Sequence, residues 1–286
     1  MSATAAGTES ILPPQGHIDA GGHRIAYRVD GDRGSYVLLV MGFAMPGRAW
    51  QFQVPALSER HRVITFDNRG AGASDVPRGP YSMQGFAADA VALLDHLGVD
   101  AAHVVGVSMG GMIAQELALQ SPKRVRSLTL IATHAGGFRA LLPRPRGLGY
   151  FVAAQLGSRE KRGHALAQLL FPPDFLATCD RSWLHRTLTQ DLGTPPSAAA
   201  RRAQFAAIFG HRTAARLHRL ANLPVLLVRP HHDLLIRPTQ TDRLHRALPH
   251  ARVLHLPGGH GVIRQLPDVL NAAMLDHFAT AEGAPA

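Results

Sequence analysis

A serine lies in the middle of a glycine-rich turn, Gly106-Val107-Ser108-Met109-Gly110, which matches the pattern G-x-S-x-G. Apolar residues before the turn predict a buried strand, and the residues after it predict a helix. In this setting a strained turn raises the serine hydroxyl above the sheet, where it can attack a carbonyl carbon. Glycines flank the serine because a Cβ atom there would crowd the adjoining elements. The motif therefore predicts Ser108 as a nucleophile.

A serine hydroxyl is a weak nucleophile unless a base takes its proton and an acid orients that base. Asp233 and His260 suit these roles, because each follows a predicted strand and the order serine, acid, histidine is that of nucleophile turns of this kind. Carboxyl ends of parallel strands meet at one edge of a sheet. Residues 126–146 contain no Asp or Glu, so the preceding strand offers no acid. We therefore predict Ser108, His260 and Asp233 as the catalytic residues.

The tetrahedral intermediate of acyl transfer carries a negative oxygen that needs fixed hydrogen-bond donors. The backbone N–H of Met109 is one predicted donor, because it lies in the first turn of a helix, where the helix dipole also favours negative charge. The N–H of Phe43 is the second, in the loop after a predicted strand, Tyr36–Met41. The alternative interpretation of Phe43 is a simple core aromatic.

Neither a metal nor an organic cofactor is predicted. The consecutive side chains of His231-His232-Asp233 point in different directions on an extended turn and rarely converge on one ion. The segment Asp67–Ser74 begins like a dinucleotide-binding loop, but it lacks the third glycine and the helix of that motif. We predict a structural role for it instead, in which Asp67 and Arg69 hold the loop beside the site. Cys179 is the only cysteine, which excludes an internal disulfide.

Other histidines receive simpler interpretations than His260. His245, His250 and His277 fall on predicted helices or helix ends, so we expect them at the surface. His255 falls within a predicted strand and is expected to be structural.

Strands and helices alternate along most of the chain. The predicted strands are His17–Ala20, Ile25–Val29, Tyr36–Met41, Arg62–Phe66, His103–Val107, Ser127–Ala132, Pro224–Val228 and Arg252–Leu256. The predicted helices are Phe86–Leu97, Met109–Gln120, Thr239–Leu248 and Val262–Phe278. This alternation predicts an α/β fold with a mostly parallel sheet and helices on both faces.

The alternation is interrupted once. From about Gly136 to Arg219 no convincing strand is found, and prolines divide the segment into short helices. We therefore predict one α/β core domain formed by residues 13–136 and 219–286, with a helical insertion at residues 137–218.

Composition excludes several classes of protein. The chain has 286 residues and is 46% hydrophobic, which is typical of a packed globular protein. Its formal net charge of +10 comes mostly from arginines spread along the chain, so no nucleic-acid partner is predicted. The longest strongly apolar run, Val37–Met45, is too short to span a membrane, and the first 16 residues do not resemble a secretory signal. We expect a cytoplasmic protein and leave a homodimer open.

Taken together, these motifs resemble those of α/β-hydrolase-fold proteins over about residues 18–278. The resemblance rests on Val40-Met41-Gly42-Phe43, on the loop Asp67–Ser74, on Gly106–Gly111, on Asp233 and on Gly259-His260-Gly261. It implies a Ser–His–Asp triad and a cap, or lid, formed by the helical insertion. Met41 replaces the usual histidine, a variant that resembles methylesterases acting on polyketide antibiotics. The turn Gly106–Gly110 corresponds to the nucleophile elbow of this fold. Its serine argues against dehalogenases and epoxide hydrolases of this fold, which use aspartate at that position.

The predicted reaction is hydrolysis of a small-molecule carboxylic ester, with small to medium apolar or aromatic groups, through an acyl-enzyme on Ser108. The same triad could serve a lactone hydrolase, a carbon–carbon bond hydrolase or a haloperoxidase-like enzyme that forms peracids. A ligand-binding receptor without turnover is the alternative from a different class. Aromatic residues of the insertion either form its own core or line the pocket. The substrate-binding candidates are Phe43, Tyr150, Phe171, Trp183 and Phe209.

Overall fold

The computed structural model of the protein describes residues 15–137, 140, 144–156, 158–191 and 196–283. Residues 13–14 and 284–286 of the predicted core domain therefore lie outside the described residues. So do residues 138–139, 141–143, 157 and 192–195 of the predicted insertion.

The described residues form an eight-stranded sheet. Its strands are β1 (Gly16–Asp19), β2 (Arg24–Asp30), β3 (Tyr36–Val40), β4 (Arg62–Phe66), β5 (Ala102–Val107), β6 (Val125–Ile131), β7 (Val225–Pro230) and β8 (Arg252–Leu256). Their spatial order is β1-β2-β4-β3-β5-β6-β7-β8. The first two pairings in this order, β1 with β2 and β2 with β4, are antiparallel, and the remaining ones are parallel. The prediction of a mostly parallel α/β sheet is confirmed.

The α-helices lie between and after these strands. They are α1 (Val54–Ser58), α2 (Met83–His96), α3 (Met109–Gln120), α4 (Pro145–Leu156), α5 (Arg159–Leu170), α6 (Pro173–Thr178), α7 (Arg181–Arg186), α8 (Ala198–Gly210), α9 (Thr239–Ala247), α10 (Val262–Gln265) and α11 (Pro267–Ala281). In the described parts of the chain, none of them has both the length and the apolar composition that crossing a bilayer requires.

The prediction of one helix over Val262–Phe278 is wrong. The chain forms α10 and α11 instead, and Leu266 between them has a non-helical backbone, with φ −134° and ψ 52°. Pro267 explains the break, since proline disfavours the helical conformation in the residue before it but suits the first turn of a new helix.

Side chains of the central strands alternate between two hydrophobic clusters, one on each face of the sheet. Leu38 and Val104 belong to one cluster, whereas Val37 and Val105 belong to the other, and all four are fully buried. Strand β5, which leads to Ser108, is buried along its whole length. Burial on both faces fixes the position of this strand, and therefore the position of the turn that follows it.

Helices α4–α8 form the segment between β6 and β7. The chain leaves and rejoins the core at one point, where Gly136 and Arg212 form an isolated antiparallel bridge and Thr213 N–H donates to the carbonyl of Ala135 at 3.0 Å. A Cβ atom on Gly136 would lie 2.0 Å from the carbonyl oxygen of His211, so only glycine allows this close approach. These contacts hold the two ends of the segment together. The division into a core and a cap domain stays a prediction.

Three histidines are buried in positions that keep them uncharged. Burial lowers the pKa of His134 to about 4, of His211 to about 3 and of His277 to about 4. The expectation of a surface position is wrong for His277, which is only 5% exposed. It lies on the buried side of α11, next to Phe278, so a helix position alone does not place a side chain in solvent.

These buried histidines predict a loss of stability in mild acid. Their folded-state pKa values lie below the ordinary 6.5, so the unfolded chain binds more protons than the folded one between pH 6.5 and about 4. The free energy of unfolding should therefore fall as the pH drops through this window, by roughly 2 kcal/mol per histidine between pH 7.5 and 5. Urea unfolding at pH 7.5 and pH 5 measures this. His211→Asn should reduce the pH dependence and the exposed His218→Asn should not; equal stability at both pH values would contradict the prediction.

Candidate active site

Ser108 follows directly after β5 and adopts a backbone conformation that L-residues rarely occupy, with φ 55° and ψ −120°. Its N–H donates to the carbonyl of Ile131 at 2.9 Å, and its carbonyl accepts the hydroxyl of Thr133 at 2.7 Å. Helix α3 begins at the next residue. The strain is thus maintained by hydrogen bonds from β6 on one side and by the helix on the other, as expected of a turn that presents a nucleophile.

Both motif glycines are required by backbone contacts. A Cβ atom on Gly106 would lie 2.3 Å from the carbonyl oxygen of Gly110, and one on Gly110 would lie 2.0 Å from the carbonyl oxygen of Val40. A Cβ atom on Gly111, the next residue, would lie 2.6–2.8 Å from side-chain atoms of Thr133. The sequence prediction that Cβ atoms would crowd this turn is confirmed.

Gly110→Ala should therefore destabilise the protein. The added methyl group meets backbone rather than a flexible side chain, so β3 and α3 would have to separate, at a cost of roughly 3 kcal/mol or more. Gly163→Ala in α5 is the matched control, since a Cβ atom there meets nothing within 4 Å. It should be neutral or stabilising by up to about 1 kcal/mol. Urea unfolding compares the two variants, and equal stability would contradict the close packing of the elbow.

Asp233 and His260 are in direct contact. Nδ1 of His260 donates to Oδ2 of Asp233 at 2.7 Å, with the carboxylate side chain fully buried and the imidazole 10% exposed. The other carboxylate oxygen accepts the N–H groups of Leu235 at 2.8 Å and Ile236 at 2.9 Å. These bonds fix the carboxylate, which in turn fixes the imidazole with Nε2 available for another partner.

The two loops that carry this pair are joined to each other. The N–H of His231 donates to the carbonyl of Leu256, and the N–H of His232 donates to that of Gly258, both at 2.9 Å. The imidazole loop also contacts the end of α5, where the carbonyl of Leu170 accepts the N–H of Gly261 at 2.8 Å. The loops after β7 and β8 therefore form one connected unit.

Strand register places all three predicted residues at the same edge of the sheet. Val107 pairs with Ile131, Ile131 with Val228, and Pro230 with Leu256. Ser108 follows β5 directly, Asp233 is three residues beyond the end of β7, and His260 is four residues beyond the end of β8. The structure thus brings His260 and Asp233 into contact and positions Ser108 at the same edge of the sheet.

The two predicted oxyanion donors lie on the first turn of α3 and in the loop after β3. Neither the N–H of Met109 nor that of Phe43 forms a hydrogen bond with any other residue in the described ranges. Gly42 packs against Ser108, because a Cβ atom on it would lie 3.3 Å from the Cβ of the serine. The loop after β3 is therefore next to the elbow. The loop and α3 each offer one backbone N–H without a hydrogen bond to the described residues.

The segment after β4 supports the loop after β3. Asp67 accepts the N–H of Gly47 at 2.6 Å and that of Ala73 at 2.7 Å, so the prediction that it ties its own loop down is confirmed. Burial raises the pKa of Asp67, although these two N–H groups oppose the shift. Arg69 is bound instead to the buried Asp89 of α2, with its Nε 2.6 Å from Oδ2.

The predicted substrate-binding aromatics separate into two groups. Phe43 packs edge-on against Phe205 of α8, with ring centroids 6.1 Å apart, and Phe205 packs in turn against Phe209, which is 48% exposed. In the second group Phe171 packs against Trp183, with centroids 5.5 Å apart. The aromatic residues therefore contact each other first, and the role of each in substrate binding stays a prediction.

A cleft of about 210 Å³ opens beside the second group, outside the loop that carries Asp233. Tyr150 and Phe171 line it together with Arg144, Arg146 and His232. Leu234 also lines this cleft, and a Cβ atom on Gly147 of α4 would lie 2.1 Å from its carbonyl oxygen. The start of α4 is thus packed on the loop of the buried carboxylate.

The three side chains of His231-His232-Asp233 do not converge. Nε2 of His231 lies 3.2 Å from Nδ1 of His255 on β8, whereas Asp233 is turned inward to His260. His232 is exposed at the cleft. Their divergence agrees with the prediction that these consecutive side chains point in different directions.

Sequence reasoning missed two residues that hold the site together. Thr133 follows β6 and binds the carbonyl of Ser108, as described above. Gln204 lies on α8, where it bonds to the loop after β3 and to the loop after β4. The available signal for Gln204 is a polar residue at helical spacing from the apolar residues Ala200 and Ala207.

Comparison with known proteins agrees with this fold. A family model described as alpha/beta hydrolase fold matches residues 36–263. A proposed carbamate hydrolase, RutD of Azorhizobium caulinodans, is 32% identical over 257 residues, which are 87% of this chain and 92% of that protein. A proposed non-heme bromoperoxidase, BpoC of Mycobacterium tuberculosis, is 33% identical over 268 residues, covering 88% of this chain and 96% of the relative.

Among solved structures, the enol-lactonase of Burkholderia xenovorans LB400 superimposes with a TM-score of 0.79 at 25% identity. The match covers 92% of this chain and all of the enol-lactonase.

Proposed function

This chain belongs to the α/β-hydrolase fold family, and on that premise we propose that it is a serine hydrolase that cleaves carboxylic esters. The observation that carries the proposal is the 2.7 Å hydrogen bond between His260 and the buried Asp233, at the edge where the strained turn presents Ser108. A buried carboxylate that orients one imidazole at the edge of the sheet where a serine lies favours a role in proton transfer over a role in ligand binding alone.

In the proposed acylation step the hydroxyl oxygen of Ser108 attacks the ester carbonyl while Nε2 of His260 takes the hydroxyl proton. The carbonyl oxygen becomes negative and receives the N–H groups of Met109 and Phe43. Asp233 stabilises the imidazolium that forms. When the tetrahedral intermediate collapses, the C–O bond to the alcohol breaks and His260 returns the proton to the leaving alkoxide.

The proposed deacylation step repeats this sequence with water. His260 takes a proton from water, the hydroxide attacks the acyl carbon, and the bond to the serine oxygen breaks. The carboxylic acid leaves and Ser108 recovers its proton from His260. Every proton transfer passes through the imidazole of His260. The reaction therefore depends on the orientation of this ring, which Asp233 fixes.

Small to medium apolar or aromatic esters are the proposed substrates. The support is the aromatic contact between Phe205 of α8 and Phe43, whose N–H is one of the two proposed oxyanion donors. Such surfaces favour apolar acyl groups over charged ones.

Lactone hydrolysis is a second candidate, favoured by the likeness to the enol-lactonase. A lactone is a cyclic ester, so the same steps apply, with the alcohol kept on the acyl chain. Two relatives are named as a carbamate hydrolase and a bromoperoxidase. Carbamate cleavage and peracid formation are therefore also tested.

A substrate panel tests the proposal. It contains p-nitrophenyl esters of increasing acyl length, an enol-lactone, an aryl carbamate, a vinylogous dione, and acetate with peroxide and bromide. Ester turnover with the highest kcat/KM for short to medium acyl groups supports the proposed function. A preference of more than 100-fold for the lactone would replace it with the second candidate, and no turnover of any acyl substrate would overturn both.

A further inference from the structure

One buried amide joins α8 to two loops, the loop after β3, which lies beside the elbow, and the loop after β4. Gln204 is fully buried, and both ends of its side chain are used. Its Oε1 accepts the N–H of Ala44 at 2.8 Å, and its Nε2 donates to the carbonyl of Arg69 at 2.9 Å. An amide can serve both loops at once because it has a donor and an acceptor on one rigid group.

The residue that it holds has an unusual backbone. Ala44 has φ 59°, in the left-handed region that alanine rarely adopts. It follows Phe43, whose N–H is the proposed oxyanion donor. Because successive peptide groups share the intervening residue, relaxation of Ala44 would turn the peptide plane next to this donor.

The same loop is held at its other end. Nδ2 of Asn68 donates to the carbonyl of Met41 at 2.9 Å, so the loop is fixed at Met41 by the core and at Ala44 by α8. Phe43 lies between these two anchors, and its ring packs on Phe205, the neighbour of Gln204 in α8.

We propose that Gln204 is a positioning residue that holds the loop 41–44 in the conformation in which the Phe43 N–H can receive the oxyanion. The inference rests on the proposed function. It adds that the oxyanion donor is set by α8, a helix of the segment between β6 and β7, rather than by the core alone. Displacement of α8 would release Ala44 and disassemble the donor while the His260–Asp233 pair stays intact.

Gln204→Met tests this role, because methionine has similar size and cannot accept the N–H of Ala44. Loss of one oxyanion donor costs about 100-fold to 1,000-fold in kcat in other serine hydrolases. We expect kcat for p-nitrophenyl butyrate to fall at least 30-fold, with KM changed less than threefold, since the donor acts on the transition state.

Gln53→Met is the matched control. Gln53 is equally buried and donates to the carbonyl of Ile263 at 2.7 Å, on the opposite face of the sheet. It should lower the melting temperature by a similar amount and leave kcat within twofold. If both variants lower kcat equally, Gln204 has only a structural role and the inference is wrong.

Gln204→Glu provides a second readout that does not depend on the Met variant folding. A protonated carboxyl group can replace the amide, donating to Arg69 and accepting from Ala44, whereas the ionised form cannot donate and places a negative charge near the developing oxyanion. Burial raises the pKa of a carboxyl group, so the change falls within a measurable range. The ratio of its kcat to that of the unchanged protein should fall at least fivefold from pH 6 to pH 9.

A pH-independent ratio would overturn the inference, as would kcat of Gln204→Met within twofold of that of Gln53→Met. The unchanged protein is assayed first. If it shows no ester turnover, the proposed function fails and the inference fails with it. If it turns over and the Gln204 variants match their controls, only the role of Gln204 is lost.

Discussion

Replacing Ser108 with alanine should lower kcat by roughly 10⁵-fold or more while the protein stays folded. The variant lacks the oxygen that forms the acyl-enzyme, and no other nucleophile of the described residues shares the strained turn. The backbone should tolerate the change, because Ala44 and Ala132 of this chain already adopt positive φ angles of 59° and 47°. The hydrogen bonds of residue 108 to Ile131 and Thr133 use only its main-chain atoms.

Steady-state turnover of p-nitrophenyl butyrate measures this effect, together with a melting temperature that reports folding. Ser121→Ala, at the other end of α3, is the control and should keep full activity. More than 1% of the original kcat in Ser108→Ala, in a preparation shown to be free of contaminating enzyme, would contradict the assignment of the nucleophile.

Replacing Asp233 with asparagine should lower kcat by about 10⁴-fold. Oδ1 of the asparagine can still accept the N–H groups of Leu235 and Ile236, which orients its NH₂ group toward His260. Nδ1 of the imidazole must then act as an acceptor, so its proton moves to Nε2, the atom that has to receive the serine proton. The geometry survives, but the base is in the wrong tautomer.

A pH–rate profile of Asp233→Asn distinguishes this cause from misfolding, since the melting temperature should change little while kcat stays low at every pH. Asp180→Asn is the control, because Asp180 also accepts a backbone N–H, that of Trp183, and is exposed at the start of α7. Activity of Asp233→Asn within tenfold of the unchanged protein would show that the carboxylate does not set the tautomer.

The elbow and the edge of the sheet could be predicted from sequence because they depend on local rules. Apolar runs define the buried strands, the glycines define the turn, and parallel strands bring their carboxyl ends to one edge. Asp233 and His260 are 27 residues apart in sequence, and each follows its own strand. The parallel pairing of β7 with β8 then brings the two residues together.

The contacts that depend on tertiary packing could not be predicted in this way. Gln204 and Ala44 are 160 residues apart, and no local pattern indicates that α8 packs on the loop after β3. His277 shows the same limit, since its burial depends on what α11 packs against. The break at Leu266 was missed for a local reason, because the effect of Pro267 on the preceding residue was not applied.

Substrate preference is the least local property of the site. The motifs predict the reaction centre, whereas the aromatic residues predicted to bind substrate lie mostly on α4–α8 and contact each other and Phe43. Relatives with the same fold carry names that range from carbamate hydrolase to bromoperoxidase. A shared fold therefore does not by itself identify the substrate.

Covalent labelling with a fluorophosphonate tests most directly whether Ser108 is an activated nucleophile. Intact-mass measurement of the unchanged protein should show one adduct per chain, peptide mapping should locate it on Ser108, and Ser108→Ala should remain unlabelled under the same conditions. Asp233→Asn should be labelled far more slowly. An adduct on another residue, or ester turnover without any labelling of Ser108, would contradict the proposed mechanism.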